Sequence, residues 1–312
     1  MSDIVKGVLG GAWTLVVGWF LPCGLGLAVF GVFVLPSVSD LPVFSVVADA
    51  SAANQALVLV AVAVVLGLVL SVLQTPLYRI LEGYLLWPAG VASKRIEKHR
   101  ETRAELHREL VKRRASHGLA DAILLEQYLR YPDSDEQIAA TMLGNGIRRF
   151  EYYGQDRFKL DSQRLWYQLR AATPESLAKE VDLARAGVDF FVCLVYVLGL
   201  LALTALVGMF VEPGVPAKLA LVLGLSVAGM ALCYRSAVVA TDAWAAAVRA
   251  TVDLGRAPLA KALGLRLPDT LENERAMWQG IGWLVTFPHA PETAQYVDPY
   301  RVSEKHDDDK NS

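Results

Sequence analysis

The chain has 312 residues, of which 54% are hydrophobic and 20% are charged, with a mean hydropathy of +0.35 and a net charge of −2. Soluble domains usually carry about 25% charged residues, and here the charges are absent from long stretches of sequence. This composition argues against one large soluble domain and indicates an integral membrane protein. Cys23, Cys193 and Cys233 lie in apolar runs without a CxxC or Cys/His pattern, which argues against a disulfide framework.

Four apolar runs predict transmembrane helices, for which about 20 residues suffice. They cover residues 7–36, 56–74, 190–211 and 218–234. The first run exceeds the roughly 7–15 apolar residues of a secretory signal, and we expect Pro22 to kink it. The apolar cores contain no Asp, Glu, Lys, Arg or His, which argues against a proton-coupled carrier.

The distribution of Lys and Arg predicts the orientation. Segments 37–55 and 212–217 contain neither residue, whereas 88–185 and the sequence after Arg235 are rich in both. By the positive-inside rule, both termini and the central region are expected to be cytoplasmic. We therefore predict an all-α, multi-pass protein of the plasma (cytoplasmic) membrane. Its four transmembrane helices would form two hairpins (2+2) with a cytoplasmic helical region between them.

These predictions divide the chain into five parts. Residues 1–90 form the first hairpin, 91–117 a basic helix next to the membrane, and 118–184 a cytoplasmic helical unit. Residues 185–255 form the second hairpin with long cytoplasmic extensions, and 256–312 form a cytoplasmic helical tail. The tail ends in SEKHDDDKNS, which is expected to be disordered and whose DDDK is similar to part of an affinity tag.

A stripe of small residues marks the second span. Ala63, Gly67, Ser71 and Thr75 follow one another at intervals of four. Such stripes let helix backbones approach closely in lipid. The stripe fits packing within one four-helix bundle, and it also fits packing between protomers of a homo-oligomer.

Residues 93–114 predict a charged, largely solvated helix, with nine Lys or Arg against four Glu. A basic segment next to a membrane attracts anionic lipid headgroups, and a protein partner is the alternative. Nucleic acid is not expected, because no aromatic side chain is interleaved for base stacking.

The sequence GNGIRRFEYY, residues 144–153, fits either a phosphate-binding loop or a helix with a close contact. A phosphate loop needs a preceding strand and a following Lys-Ser/Thr, and neither is present, so we favour the helix. Gly144 would mark the close contact, and Arg148 can pair with Glu151 three residues on.

Further helices follow from capping and spacing. Ser134 with Gln137 predicts a capping box for a helix that starts there and runs through the GNG sequence. Residues 159–169 predict a helix that buries Leu160, Leu165, Trp166 and Leu169. A helix from Thr173-Pro174-Glu175 is expected to continue into the third span, and the fourth span is expected to continue past Arg235. Asp269 with Glu272 predicts the cap of a last helix.

Charged residues at the inner edge of the membrane are candidates for structural or partner contacts. Tyr78-Arg79 and Tyr234-Arg235 end the second and fourth spans in similar ways, with Glu82 and Asp242 one or two turns later. We expect Arg235 to pair with Asp242 or Asp189 across helices. The full candidate set is Arg79, Glu82, Gly144, Asn145, Arg148, Arg149, Glu151, Asp161, Trp166, Asp189, Arg235 and Asp242.

Three segments carry a resemblance. RILEGY (79–84), LGNGIRRFEYYGQDRFKLDSQRLWYQL (143–169) and VRATVDLGRAPLAKALGL with ERAMW (248–278) resemble uncharacterised multi-pass membrane proteins of actinobacteria-like composition. The matching positions are Leu143, Gly144, Asn145, Arg149, Glu151, Tyr152, Asp161, Leu165 and Trp166. The resemblance implies no established activity, although some such proteins look like membrane components of bacterial conflict or defence systems.

The sequence favours a non-enzymatic function. The histidines lie outside the spans, and GLSVAG around Ser226 is not a GxSxG nucleophile elbow. We expect no cofactor or metal. We expect a membrane module that docks or senses a cytoplasmic partner, either as an oligomerising defence effector that perturbs the membrane or as a scaffold. The alternative is a small channel or carrier built from oligomerised protomers.

Overall fold

A computed structural model describes residues 13–39, 41–48, 50–113, 118–211, 216–289 and 294–302. All regular secondary structure in these residues is helical, and they contain no β-strand. One isolated antiparallel bridge joins Leu265 and Arg301. The all-α prediction is therefore confirmed. The first residues of the first span, the tip at 212–215 and the C-terminal tail from 303 were the subject of predictions but lie outside the described residues.

Within these described ranges, four helices are long and apolar enough to cross a membrane, as predicted. The helices are, in chain order, α1 Trp13–Ser37, α2 Pro42–Ala48, α3 Ala52–Val72, α4 Gln74–Leu81, α5 Ala89–Lys112, α6 Leu119–Leu129, α7 Met142–Glu151, α8 Tyr153–Phe158, α9 Trp166–Ala172, α10 Glu175–Val211, α11 Pro216–Ala262, α12 Leu271–Thr286 and α13 Ala294–Val297. The four candidate spans lie in α1, α3, α10 and α11.

Helix α1 is irregular near its prolines. It widens into π-type turns at Val16–Phe20 and Phe30–Val34, which precede Pro22 and Pro36. A proline has no N–H group to continue the regular hydrogen-bond ladder, and a π turn accommodates the interruption. Where a kink was predicted at Pro22, the structure shows a widened turn just before it.

Helices α10 and α11 are longer than a bilayer is thick. They contain 37 and 47 residues, or about 55 and 70 Å at 1.5 Å per residue, against about 30 Å of hydrocarbon. The predicted continuation of both spans beyond their apolar parts is therefore observed.

The described residues divide into two compact units. The first lies within 1–104, 139–145 and 182–244, and the second within 105–138, 146–181 and 245–312. In the first unit, Trp19, Cys23, Ala63, Leu70, Cys193 and Val197 form one buried cluster. In the second, the core is formed by side chains that include Leu160, Leu169, Leu259, Met277 and Trp278.

Close backbone packing joins the helices of the first unit. A Cβ atom on Gly26 would lie 2.0 Å from a methyl group of Val197, and one on Gly67 would lie 2.4 Å from the ring of Phe20. Many outward-facing side chains of the spans, such as Val60 and Leu225, are exposed. An apolar outer surface is what a helix bundle in lipid requires.

Three predicted helix boundaries are wrong. Ser134 caps only the short 3-10 turn Asp135–Gln137, and α7 begins at Met142 instead. Residues 159–165 are not helical, because Lys159 adopts a left-handed conformation (φ 60°) that ends α8. Helix α12 is capped by Thr270, whose side chain accepts a hydrogen bond from the Asn273 N–H, rather than by Asp269.

Candidate functional site

A buried carboxylate in the first unit forms the centre of the candidate site. Asp189 is 7% exposed and immediately precedes the apolar part of α10. The Tyr78 hydroxyl donates to Asp189 Oδ1 at 2.6 Å, and the Gln74 amide donates to the same oxygen at 2.9 Å. Gln74 and Tyr78 are four residues apart on α4, so both side chains lie on one face of that helix.

The second oxygen of this carboxylate has a weaker partner. Arg185, one turn earlier on α10, places its Nε 4.0 Å from Asp189 Oδ2, which is too long for a hydrogen bond. Its guanidinium lies 5.7 Å from the centre of the Trp244 ring, a cation–π contact. Asp189 thus accepts from two neutral donors, while its nearby cation remains at ion-pair distance.

Burial also fixes the protonation of Tyr78. Removal from water raises the pKa of the Tyr78 phenol well above its ordinary value, and the Asp189 charge raises it further. The hydroxyl therefore stays protonated at neutral pH and continues to donate to the carboxylate.

A cavity of about 410 Å³ adjoins the carboxylate. Its polar walls come from α1, α3, α4 and α10, through Thr14, Ser71, Gln74, Asp182, Arg185 and Asp189. Pockets of this size accommodate small ligands or their polar parts. Among these residues, sequence reasoning selected Asp189 as a charged candidate and Ser71 only as part of the small-residue stripe. The signal for Gln74 and Tyr78 was their spacing of four residues where an apolar run ends.

The predicted pairing of Arg235 is wrong. Arg235 is exposed and forms no ion pair with a described residue, whereas Asp189 faces Arg185 on its own helix. Four residues separate Arg185 from Asp189, a spacing that favours such a contact over one across helices. Asp242 is half-buried, and Arg79 is exposed with its carbonyl accepting from the Tyr84 N–H at 2.9 Å.

The Gly144-Asn145 pair holds a backbone loop. Asn145 is fully buried, and its side chain accepts from the Ala139 N–H at 2.8 Å and donates to the Ala139 carbonyl at 3.2 Å. A Cβ on Gly144 would lie 2.5 Å from the Glu82 carbonyl oxygen. The close contact expected at Gly144 is therefore with the turn that follows α4. These bonds also explain why α7 starts late, since residues 138–141 fold against Asn145.

The arginines after this pair belong to the second unit. Arg149 forms an ion pair with Asp133. Arg148 donates to the Tyr152 hydroxyl at 3.0 Å and lies over its ring. Burial raises the pKa of Glu151, and the charge of Arg148 lowers it. These contacts connect neighbouring segments of the second unit.

Asp161 and Trp166 have local structural contacts. Asp161 Oδ1 accepts from the Arg164 N–H at 3.1 Å, and its other oxygen lies 3.2 Å from Arg164 Nε. Trp166 is half-buried against the core that contains Leu165 and Leu169, rather than fully buried as predicted.

A second buried carboxylate escaped the sequence selection. Glu274 is 5% exposed and accepts from the Arg256 guanidinium at 2.5 Å and from the Trp278 indole N–H at 3.1 Å. Arg256 also lies 4.6 Å from the centre of the Phe158 ring. The ERAMW sequence already contained the signal, because Glu and Trp four residues apart share a helix face.

Part of the small-residue stripe packs against other helices of the same chain. Ala63 and Gly67 are buried, and Gly67 packs against Phe20 of α1. Ser71 is half-buried and donates to the Leu68 carbonyl, whereas Thr75 is exposed.

The basic helix α5 lies largely at the surface. Each of its residues is exposed or half-buried, and short-range pairs such as Glu97–Arg100 and Glu109–Arg113 lie along it. Exposed pairs of this kind contribute little to stability.

The Asp189 site combines several kinds of polar group. It offers a fixed carboxylate, a guanidinium and neutral hydrogen-bonding groups around a polar cavity. Comparisons with protein-family models, with curated proteins and with solved structures give no match for this chain.

Proposed function

We propose that the chain is a non-enzymatic module of the cytoplasmic membrane that binds a cytoplasmic protein through its helices outside the bilayer. The observation that carries this proposal is the surface of α6. Every residue of this helix is exposed or half-buried, although its sequence LADAILLEQYL is mostly apolar. Its most exposed large apolar side chains are Leu119 (79%), Ile123 (48%), Leu125 (45%) and Leu129 (44%). Exposed apolar patches of this kind mark interaction sites.

The chemistry of the partner follows from the neighbouring charge. Helix α6 contacts the end of α5, where Arg113 lies 3.8 Å from Asp121 and the rings of His107 and Tyr128 are 5.6 Å apart. Residues 93–114 carry nine Lys or Arg against four Glu. The partner that fits is an apolar helix face flanked by acidic side chains, because complementary charge steers and orients such contacts.

The buried ionisable groups support a non-enzymatic role. Glu274 accepts from the Arg256 guanidinium and from the Trp278 indole N–H, and Asp189 accepts from Tyr78 and Gln74. Groups engaged in this way orient helices and binding surfaces, and the proposal assigns no catalytic step or cofactor to them.

A photo-reactive amino acid at Leu119 or Ile123 tests the partner surface in living cells. The expected product is a covalent adduct with one protein, which is identified by mass spectrometry and whose association with the chain is lost in Leu119→Asp. Tyr167, which is 85% exposed in the same unit, is the matched control position. Adducts with lipid alone, or equal protein adducts at Tyr167, would contradict the proposal.

The orientation is part of the proposal. The Lys and Arg distribution supports cytoplasmic termini and a cytoplasmic central region, and the lengths of α10 and α11 fit helices that extend beyond the bilayer. Single cysteines at Ala53 and Glu136, both exposed, can be tested with an impermeant thiol reagent on intact cells. In intact cells, Ala53→Cys should be labelled to a greater extent than the parent protein. Glu136→Cys should exceed the labelling of the parent protein only after the cells are lysed. The reverse pattern would overturn the orientation.

A second candidate is an oligomeric channel or membrane-perturbing effector, of the kind the resemblance to defence components suggests. One observation favours it. Ala220, Gly224 and Ala228 form an exposed small stripe on α11, and a Cβ on Gly224 would have no described atom within 4 Å. Small stripes that face lipid allow close association with another copy.

Oligomer mass in detergent and a membrane-potential dye together test this candidate. Gly224→Leu should reduce both the oligomer mass and any depolarisation on overexpression. Gly24→Leu is the matched control, because a Cβ on Gly24 also has no described atom within 4 Å. A monomeric parent protein that leaves the potential unchanged would remove this candidate.

A further inference from the structure

We propose that the cavity beside Asp189 binds the headgroup of a zwitterionic membrane lipid that carries a phosphate and a primary ammonium group. The ammonium would contact Asp189, and the phosphate would contact Arg185. This inference goes beyond partner binding and depends only on insertion of the four apolar helices in a bilayer.

The position of the cavity along the helices is that of a lipid headgroup. Ser71 lies at the end of the apolar helix α3, and Gln74 begins α4. Asp189 directly precedes the apolar sequence that starts at Phe190 on α10. The cavity therefore lies where the apolar parts of two spans end, which is the level at which hydrocarbon gives way to headgroups.

Asp189 has acceptor capacity left for an ammonium group. Both hydrogen bonds from Tyr78 and Gln74 reach Oδ1, whereas Oδ2 makes no hydrogen bond with a described residue. Ser71 Oγ uses its proton on the Leu68 carbonyl at 2.8 Å, which leaves its lone pairs as acceptors. A primary ammonium group has three N–H donors to place on such oxygens.

Arg185 suits the phosphate. Its side chain is 48% exposed, and the Trp244 ring lies against its guanidinium. A planar guanidinium donates two parallel hydrogen bonds to phosphate. The aromatic contact restricts the guanidinium before the lipid arrives, which lowers the entropy cost of binding.

The charges around the cavity select a zwitterion. Asp189 and Arg185 place one negative and one positive charge on the walls of the cavity. An anionic headgroup without an amine would leave Asp189 without an opposite charge from the ligand. A headgroup with both charges matches Arg185 with its phosphate and Asp189 with its ammonium.

The same helices also provide room for an acyl chain. A second cavity of about 410 Å³ has almost entirely apolar walls from α1, α2, α3 and α10, among them Leu27, Phe30, Leu66 and Val197. Val197 lies eight residues beyond Asp189 on α10, or about 12 Å along the helix. A polar cavity and a deeper apolar cavity on one set of helices fit an amphiphile better than a free ion.

The test uses the full-length protein, stripped of lipid in detergent, and native mass spectrometry with a parallel thermal-unfolding measurement. The ligands are phosphatidylethanolamine, phosphatidylcholine, phosphatidylglycerol, soluble phosphoethanolamine and sodium ion. Phosphatidylethanolamine is expected to bind most tightly and to raise the melting temperature most. Phosphatidylcholine should bind less well, because its trimethylated ammonium has no N–H to donate.

Two variants assign the effect to this cavity. Asp189→Asn keeps an oxygen for Tyr78 and Gln74 but loses the charge, and it should weaken phosphatidylethanolamine binding about tenfold, as expected for one charge-assisted hydrogen bond. Ser71→Val, which narrows the cavity without touching the carboxylate, should weaken it too. Lys218→Gln is the control, since Lys218 lies beside Phe33 near the other end of α1.

Each alternative outcome overturns the proposal. Equal binding of the three lipids, or unchanged binding in both cavity variants, would show that this cavity does not recognise the lipid headgroup. Equal affinity for soluble phosphoethanolamine would indicate a free metabolite, and stabilisation by sodium alone that Asp189→Asn abolishes would indicate a cation site.

Discussion

Among their described residues, the two units each bury one carboxylate to below a tenth of its surface, and the two carboxylates are held in different ways. Glu274 in the second unit accepts hydrogen bonds from Arg256 and Trp278, and both of its oxygens lie 2.5 Å from the guanidinium. Asp189 in the first unit accepts from two neutral donors, keeps its arginine at 4.0 Å and lines a cavity. The comparison separates a carboxylate that holds helices together from one that is available to a ligand.

The physical reason lies in the cost of a buried charge. A buried carboxylate needs either an opposite charge in good geometry or several hydrogen bonds. Glu274 has both, so removing it leaves Arg256 without compensation. Asp189 relies on Tyr78 and Gln74, and its second oxygen remains free to accept from a bound group.

The largest expected effect is that of Glu274→Ala. It leaves a mostly buried guanidinium without a counter-charge, and the free energy of unfolding should fall by about 3–5 kcal/mol. Unfolding of the full chain in detergent, followed by circular dichroism, measures it. Glu272→Ala is the control on the same helix, because Glu272 is exposed. A loss no greater than that of the control would show that the pair contributes nothing net.

Asn145→Ala tests whether removal of a buried neutral side chain also lowers the free energy of unfolding strongly. The substitution leaves the buried N–H and carbonyl of Ala139 without their partner, and unfolding free energy should fall by about 2–3 kcal/mol. The exposed Asn54 provides the matched control, Asn54→Ala. If both substitutions cost the same, water must replace the Asn145 side chain.

Asp189→Asn should have a smaller effect than Glu274→Gln in the same unfolding assay. Asparagine still offers an oxygen to Tyr78 and Gln74, so the loss is expected to stay below about 1 kcal/mol. Glu274→Gln removes the charge that compensates Arg256. A greater loss for Asp189→Asn would mean that Asp189, too, is chiefly structural.

Glu151→Gln should produce the smallest change, and it should be stabilising. Burial raises the pKa of the folded Glu151 carboxyl above its ordinary 4.5. Stability from such a group is fully present below the ordinary pKa and is lost as pH rises through the raised one. The melting temperature of Glu151→Gln should therefore exceed that of the parent at pH 7 and match it at pH 4. The exposed Glu136→Gln is the control, and a lower melting temperature at pH 7 would contradict this sign.

Much of the fold could be predicted from local pattern. The four spans follow from the length of their apolar runs, and the extensions of α10 and α11 follow from the helix-forming sequence beside those runs, although α11 also continues through Pro258. The short elements could not be predicted as well. Helix α7 starts at Met142 because Asn145 binds Ala139, and no spacing rule reveals that a loop occupies residues 138–141.

The sequence by itself determined that this is an all-helical chain with four apolar helices able to cross a membrane, because length and hydropathy are properties of contiguous residues. It also pointed to Asp189, Gly144 and Asn145 as special positions. Only the tertiary structure decided their partners. Asp189 meets Tyr78 across 111 positions of sequence, and Gly144 meets the carbonyl of Glu82. Such contacts depend on how helices that are distant in sequence pack together. The residue periodicity within one helix does not predict that packing.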